Sequence, residues 1–306
     1  MKIATLDIGS NTVRLLLGTV EKGALKRVSV ERRITRLAGK FADGRAHPES
    51  LQRTVEAVAE FARKARAYGA VEIRAVCTGV ARRLDDPFTL LDALADQARL
   101  DAQIIDGRLE AAVSALGGAY EMGLRDRTFL LMDVGGFSTE LALVENAQPA
   151  RAVSLEFGAV SLTEGYLLDD PPTVAQLQTC GQAVADLLKG NDELAQLPAV
   201  ETLVGTAGTV TTLAALDLKM ERYDPDQING RILSAATIER LLEKLVSMPA
   251  AERLYLPGLE KGREDLIPAG AIICQRVMEH LRCERLAVTE GGVLEGVALW
   301  PQWPLD

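Results

Sequence analysis

The sequence predicts an α/β protein made of two similarly folded halves, and three observations lead there. Short aliphatic runs alternate with longer amphipathic stretches, and aromatics are only 4% of residues, so the core must be built from Ala, Val, Leu and Ile. At 306 residues the chain has room for two domains of ordinary size. Finally, the opening pattern begins again near residue 125. Aligning "ATLDIGSNTVRLLLGTVEKGALKRVSV" with "LLMDVGGFSTELALVENAQPARAVSL" puts Asp7 on Asp133, Gly9 on Gly135, Ser10 on Gly136, Thr12 on Ser138 and Arg14 on Glu140. This internal repeat, with a period near 126 residues, implies two halves whose first β-turns face each other across a cleft.

The elements follow in order. "KIATLDI" reads as a buried strand ending in a turn at Gly9-Ser10-Asn11, and a second strand returns from Thr12 as a hairpin. A third, alternating strand runs through "LKRVSVERRITRL". A helix is expected from Pro48 to Tyr68, stopped by Gly69. After the strand "VEIRAVCT" comes the helix "DPFTLLDALADQAR", with Asp85 or Asp86 as its cap and Pro87 in its first turn. The short strand "DAQIID" leads to the helix "GRLEAAVSALGGAYEMG". The second half repeats strand, turn, strand, turn, strand, and helices are expected over Thr173 to Leu188 and Asn191 to Gln196. "VETLVGTAGTVTTLAAL" gives a strand, a Gly-Thr turn and a helix. Ala235 to Val246 is a helix, a loop and another helix follow, and "RLAVTEGGVLEGVALW" closes the chain as strand, double-glycine turn and helix. The expected domains are 1–124, with the closing helix 294–306 packing back on it, and 125–293. Hinges are expected near Leu124 to Asp126 and before the final helix.

Composition excludes several classes. The formal charge of −9 argues against general adhesion to nucleic acid or anionic membrane. No secretory signal or membrane-spanning run is visible, which leads to the expectation of a cytoplasmic protein. Cys77, Cys180, Cys274 and Cys283 form no CxxC pair and read as reduced core thiols. Two histidines cannot supply a His-rich metal centre. The stretch Glu21 to Lys40 is locally basic, with seven basic residues against two acidic ones. It is either a hairpin with basic solvent faces or a positive wall beside an anionic substrate.

Four turns share one grammar, in which a strand enters, small residues turn, and polar side chains sit at the mouth. They are Asp7–Thr12, Asp133–Glu140, Gly205–Thr209 and Glu290–Gly292. Glycines let backbone N–H groups turn toward a phosphate, and Ser and Thr hydroxyls add donors. The helix after Gly208-Thr209 presents the positive end of its dipole. Asp7 and Asp133 would repel phosphate directly, so their natural task is to hold Mg²⁺ or its waters. There is no GxxxxGK[ST] and no GxGxxG after a strand, which removes P-loop and dinucleotide readings. Glu110 sits in the first turn of a helix capped by Asp106. The helix dipole favours a carboxylate there regardless of function, and general-base duty is the competing reading. Arg82, Arg83 and Arg263 are either solvated loop arginines or anion clamps.

Taken in order, "LDIGSNTVRLLL", "CTGVAR", "IIDGRLEAA", "DVGGFSTEL", "GTAGTVTTLAAL", "LPGLEKGREDLIPAG" and "GGVLEGV" resemble the exopolyphosphatase and guanosine pentaphosphate phosphatase (Ppx/GppA) family over essentially the whole chain. The resemblance implies two ribonuclease-H-like domains of the actin-like, sugar kinase and Hsp70 superfold. It implies hydrolysis of the terminal phosphoanhydride of inorganic polyphosphate or pppGpp by in-line attack of an activated water. Glu110 looks like the catalytic base. Asp133 and Glu140 resemble the acids around Mg²⁺ and the attacking water, with Asp7 on the facing phosphate loop. Ser10, Asn11, Thr12 and Arg14 match the first phosphate loop, and Gly135, Gly136 and Ser138 the second. Thr206, Gly208 and Thr209 match the third, and Arg82 resembles the family's cleft arginine; Arg82 and Arg263 are expected to offset substrate charge. A monovalent cation such as K⁺ and a homodimer are further expectations, and the length corresponds to the short, two-domain form of the family.

Two positions depart from the family pattern. Phe137 stands where a third glycine is common, and is expected to resist φ > 0 and to crowd the phosphate. Leu294 stands where Arg is frequent, removing a phosphate contact. These departures keep open a non-hydrolytic sensor of (p)ppGpp or polyphosphate. A kinase or ATPase of the same superfold is the third reading.

Overall fold

The computed structural model describes residues 1–124, 126–146, 148–200 and 203–305. The chain divides into two compact units, Met1–Gly117 with Gly291–Asp306, and Gly118–Glu290.

Unit one opens with β1 (Lys2–Ile8), β2 (Thr12–Glu21) and β3 (Ala24–Ile34), then α1 (Pro48–Tyr68), β4 (Glu72–Cys77), α2 (Phe88–Ala98), β5 (Ala102–Ile104) and α3 (Gly107–Glu121), which runs on past the unit boundary. The sheet order is β3-β2-β1-β4-β5. β1 pairs antiparallel with β2 and parallel with β4. As the central strand it is covered on both faces, so every residue after Lys2 is buried and the sequence reads as an aliphatic run. β3 lies at the edge and alternates in exposure, as one covered face requires. Gly69 ends α1 in the left-handed conformation, φ +79°.

Unit two begins with β6 (Phe129–Val134), β7 (Thr139–Glu145) and β8 (Gln148–Leu155), followed by α4 (Ala159–Tyr166), α5 (Val174–Lys189), β9 (Leu203–Thr206) and α6 (Ala207–Asp217). Then come α7 (Pro225–Ile228), β10 (Ile232–Ser234), α8 (Ala235–Val246), α9 (Ala250–Arg253), α10 (Ile267–Leu281) and β11 (Arg285–Val288). Its sheet order, β10-β11-β9-β6-β7-β8, is that of unit one with an antiparallel strand added at the far edge. α11 (Val293–Leu299) returns to unit one, where Thr5 donates to Leu294 O at 3.0 Å and Arg74 to Val297 O and Trp300 O at 2.8 Å each.

The repeat extends to fine detail. Gly9 N–H donates to Thr12 O, and Gly135 N–H to Ser138 O, both at 3.0 Å. The β2–β3 register slips between Leu17 and Gly18, and the β7–β8 register slips between Leu143 and Val144, at the equivalent position of the repeat. Both halves are α/β, with the ribonuclease-H-like arrangement expected from the sequence.

Some local details differ from expectation. α4 was not foreseen, because its short run of small and polar residues carries little periodicity. The Asn191–Gln196 helix reduces to a 3₁₀ turn, Leu194–Gln196. Pro87 occupies the cap position of α2 itself, while Asp86 accepts from Phe88 N–H at 3.1 Å. Arg125, in the expected hinge, and Glu201 and Thr202, before β9, lie outside the described residues. All four cysteines are free thiols, and Cys77, Cys180 and Cys274 are buried. No described helix is long and apolar enough to cross a membrane.

Candidate functional site

In each unit the candidate residues gather at the carboxyl ends of the central strands, where an α/β sheet leaves its loops free to bind ligands. In unit one, β1 delivers Asp7. Both Nε and Nη2 of Arg14 donate to Asp7 Oδ2, at 3.0 and 2.7 Å, and Thr78 Oγ1 donates to Oδ1 at 3.1 Å. Ser10 Oγ accepts from Val80 N–H at 2.8 Å. Gly79, with φ +58°, sits so close to Ser10 that a Cβ there would lie 2.3 Å from Ser10 Oγ. That contact locks the "CTGVAR" segment to the first turn. Asn11 Nδ2 and Thr12 Oγ1 are buried with no hydrogen-bond partner among the described residues, and so is Thr35 Oγ1. Buried polar atoms of this kind are costly unless a ligand or water completes them.

Thr35 was missed by sequence reasoning. The segment after β3 is laid along the first turn, with Thr35 and Arg36 N–H donating to Asn11 O and Ala38 N–H to Ser10 O. Contacts between such distant segments leave no signal in spacing.

The 3₁₀ turn Gly79–Arg83 brings Arg82 to α3, where its Nη1 pairs with Glu110 Oε2 and also reaches Ile105 O at 3.3 Å. Asp106 caps α3, its Oδ1 accepting from Leu109 N–H at 2.8 Å. Glu110 is therefore a buried first-turn carboxylate with a guanidinium beside it. Part of the basic strand is internally balanced, since Arg27 pairs with Glu295 and Arg33 with Glu60. Burial pushes the Glu295 carboxyl above its usual range, with Arg27 opposing.

In unit two, β6 delivers Asp133, whose register partner across β7 is Glu140. Ser154, opposite Glu140 on β8, donates to its Oε1 at 2.9 Å. Directly opposed residues of an antiparallel pair point to the same face, so two buried carboxylates stand side by side. The equivalent row in unit one reads Asp7, Arg14, Arg32. The repeat thus carries one acid with two bases in the first unit, and two acids with a hydroxyl in the second. Asp133 and Glu140 are the residues of this unit that could hold a divalent cation, since buried carboxylate oxygens on one face are the donors such an ion takes.

The second turn corrects the expectation for Phe137. Phe137 is absent from the residues with positive φ, so its backbone needs no glycine, and its side chain is buried. The glycine that matters lies elsewhere. A Cβ on Gly158 would sit 2.6 Å from Phe137 N and 2.5 Å from Gly136 C. Ala159 N–H donates to Gly135 O and Val160 N–H to Gly136 O, so the start of α4 supports this turn.

The third turn lies beside the second, since Thr206 is the register partner of Asp133. Thr206 caps α6, Thr209 is buried, and Ala207 takes φ +67°, a strained conformation for a residue with a Cβ. Arg263 lies directly over Gly208, where a Cβ would meet its Nη2 at 2.1 Å. In the fourth segment Glu290 N–H donates to Asn229 Oδ1 at 2.7 Å, and Gly292 N–H to Glu295 Oε2 at 3.0 Å. Leu294 is buried, so its position serves packing. A cavity of about 570 Å³ lined by Leu124, Asp126, Arg127, Thr128, Phe129, Ala199 and Val200 contains none of the candidate residues.

Comparison with known proteins bears on the family and the fold. A profile of the Ppx/GppA phosphatase family matches residues 17–300. Exopolyphosphatase 2 of Mycobacterium tuberculosis is 34% identical over 97% of this chain and 98% of its own. Exopolyphosphatase 1 of the same organism is 26% identical over 98% of this chain and 88% of its own. Among solved structures, the Ppx/GppA family member of Aquifex aeolicus superposes with a TM-score of 0.82 at 28% identity, covering 98% of this chain and 96% of that one. An exopolyphosphatase-like protein reaches a TM-score of 0.91 at 26% identity, with 98% of both chains covered. The turns, the internal repeat and the sheet order therefore belong to a chain of the Ppx/GppA phosphatase family.

Proposed function

We propose that this chain is a Mg²⁺-dependent exophosphatase that removes the terminal phosphate of inorganic polyphosphate, of pppGpp, or of both. The observation that carries the reading is the contrast between the two equivalent rows, Asp7–Arg14–Arg32 and Asp133–Glu140–Ser154. The first suits an anion, together with the donors of Asn11 and Thr12. The second suits a cation, and Asp133 and Glu140 would hold Mg²⁺, which when bound offsets phosphate charge. The names of the relatives favour polyphosphate as the first substrate to try.

In this reading Glu110 takes a proton from water, and the water oxygen attacks the terminal phosphorus in line. The bond from that phosphorus to the bridging oxygen breaks, leaving orthophosphate and a chain one phosphate shorter. Arg82 orients the carboxylate and balances its charge. Arg14, Arg263 and the N–H groups of the turns at Gly135-Gly136 and Gly208-Thr209 position phosphoryl oxygens. Unpaired thiols fit a reducing, cytoplasmic compartment.

The test is phosphate release with Mg²⁺ from long polyphosphate, tripolyphosphate, pppGpp and ATP, using wild type and Glu110→Gln. The expected result is release from polyphosphate or pppGpp that falls by about 10²–10⁴-fold in the variant with binding retained. Substituting Na⁺ for K⁺ in the same assay reads any monovalent requirement. Tight binding without release would make the chain a sensor, and release from ATP alone would make it an ATPase. Either outcome defeats the exophosphatase reading.

A further inference from the structure

Arg253 heads the largest fully buried side chains among the described residues, at 1% exposure. A guanidinium so placed is retained only where it satisfies several partners. Its Nε donates to Leu245 O at 2.6 Å and its Nη1 to Glu264 O at 2.9 Å. Its Nη2 lies 3.4 Å from Asp170, and the Asp170 carboxylate also accepts from Ala250 N–H at 2.9 Å. One side chain therefore ties the end of α8 to the trailing part of the loop 254–266, just before α10.

That loop lies along α6. Near the carboxyl end of the helix, Gly258 adopts φ +97°, and a Cβ there would meet Ala215 O at 2.2 Å. At the amino end, the guanidinium of Arg263 covers Gly208, with all three of its outer atoms within 2.4 Å of where a Cβ would be. Arg263 Nε is bonded to Glu260 Oε2 at 2.8 Å, which sets the plane of the fork and turns the two Nη groups to the third turn. Gly270 likewise presses α10 against Thr209, at 2.3 Å from its Cγ2 to an added Cβ. Arg263 hangs from a loop whose trailing end is the carbonyl of Glu264, and Arg253 holds that carbonyl.

We propose that Arg253 is a positioning residue, fixing the base of the 254–266 loop so that Arg263 is held over the third turn to bind phosphoryl oxygens of the anionic substrate. This rests on reading that turn as a phosphate site. A fork held in place binds a phosphate more tightly than one that must be ordered on binding.

The experiment compares wild type, Arg253→Met, Arg263→Ala and the double variant, in the full chain with tripolyphosphate as probe. Three quantities are read: KM and kcat for phosphate release, tripolyphosphate affinity by calorimetry, and the rate of tryptic cleavage after Lys261. Met keeps the buried volume and removes the bridge. The expected result is a rise in KM and Kd of about tenfold in Arg253→Met with kcat changed by less than about threefold. A similar loss is expected in Arg263→Ala, with no further loss when the two are combined. Cleavage after Lys261 should speed up by about tenfold in Arg253→Met. The inference is overturned if Arg253→Met weakens binding by the same factor with and without Arg263, or if cleavage after Lys261 stays at the wild-type rate. If wild type binds tripolyphosphate without releasing phosphate, the exophosphatase reading fails while the affinities and cleavage rates still decide the role of Arg253. Asp170→Asn, which leaves Arg253 in place but removes its carboxylate partner, should give the same pattern more weakly and serves if Arg253→Met does not fold.

Discussion

Replacing Gly117 by Ala should lower the stability of unit one, although the same change in a free helix would raise it. Gly117 of α3 lies against the start of α11, and a Cβ there would come within 2.0 Å of Gly292 O and 2.8 Å of Gly296 N. Ordinary contact begins near 3.4 Å, so two helices would have to separate by more than about 1 Å, and the obstacle is backbone rather than a movable side chain. Overpacking of this kind costs up to about 3 kcal/mol. The gain in helix propensity returns about 1 kcal/mol, leaving a net loss of about 2 kcal/mol. For a unit of this size that corresponds to a fall in Tm of about 6 °C. Gly165 supplies the control. It lies in α4 with nothing within 4 Å of its added Cβ, so Gly165→Ala should gain up to about 1 kcal/mol. Thermal melts of the two variants and wild type decide the matter. A Gly117→Ala protein that melts at or above the wild-type temperature would refute the claim that backbone contact fixes this crossing.

Three further outcomes are expected. Ala207→Gly should raise Tm by roughly 1–3 °C, because Ala207 holds φ +67° at a cost Gly does not bear; an unchanged or lower Tm would mean that no strain is stored there. The Glu295 carboxyl is pushed above its usual range by burial, so the folded state keeps its proton longer than the unfolded state does. That contribution favours folding below the unfolded value and fades as pH rises toward the folded one. Glu295→Gln should therefore gain stability relative to wild type as pH rises above the ordinary glutamate value, and parallel melts that do not diverge with pH would contradict it. Burial raises the thiols of Cys180 to about 11 and Cys274 to about 12, and raises that of Cys77 further still. A thiol reagent should label Cys283 first in the native protein and all four cysteines only after unfolding, as peptide mapping would read.

Much of this molecule is written along the chain. The repeat that sets Asp7 on Asp133 and Arg14 on Glu140 is a linear signal, and it carries with it the sheet order, the turn closures and even the shared register slip. Central strands such as β1 and β6 announce themselves because both faces are covered and only apolar side chains fit. The glycine turns are legible for a similar local reason, since close approach of backbone to a ligand demands small residues. What no linear pattern holds is which charge meets which. Only the folded sheet shows that Asp7 is neutralised by Arg14 while Asp133 stands beside a second acid, that Arg82 is laid on Glu110, and that Thr35 lines the first turn. Phe137 makes the same point in reverse. Its residue type suggested a strained turn, yet the conformation at that position requires no glycine, and the residue that had to be small was Gly158, twenty-one positions away. The sequence by itself determined the elements and their repetition, because these depend on neighbours a few residues apart. The tertiary structure decided the pairing of charges and the burial of Arg253, because those depend on side chains that only packing brings within hydrogen-bond distance.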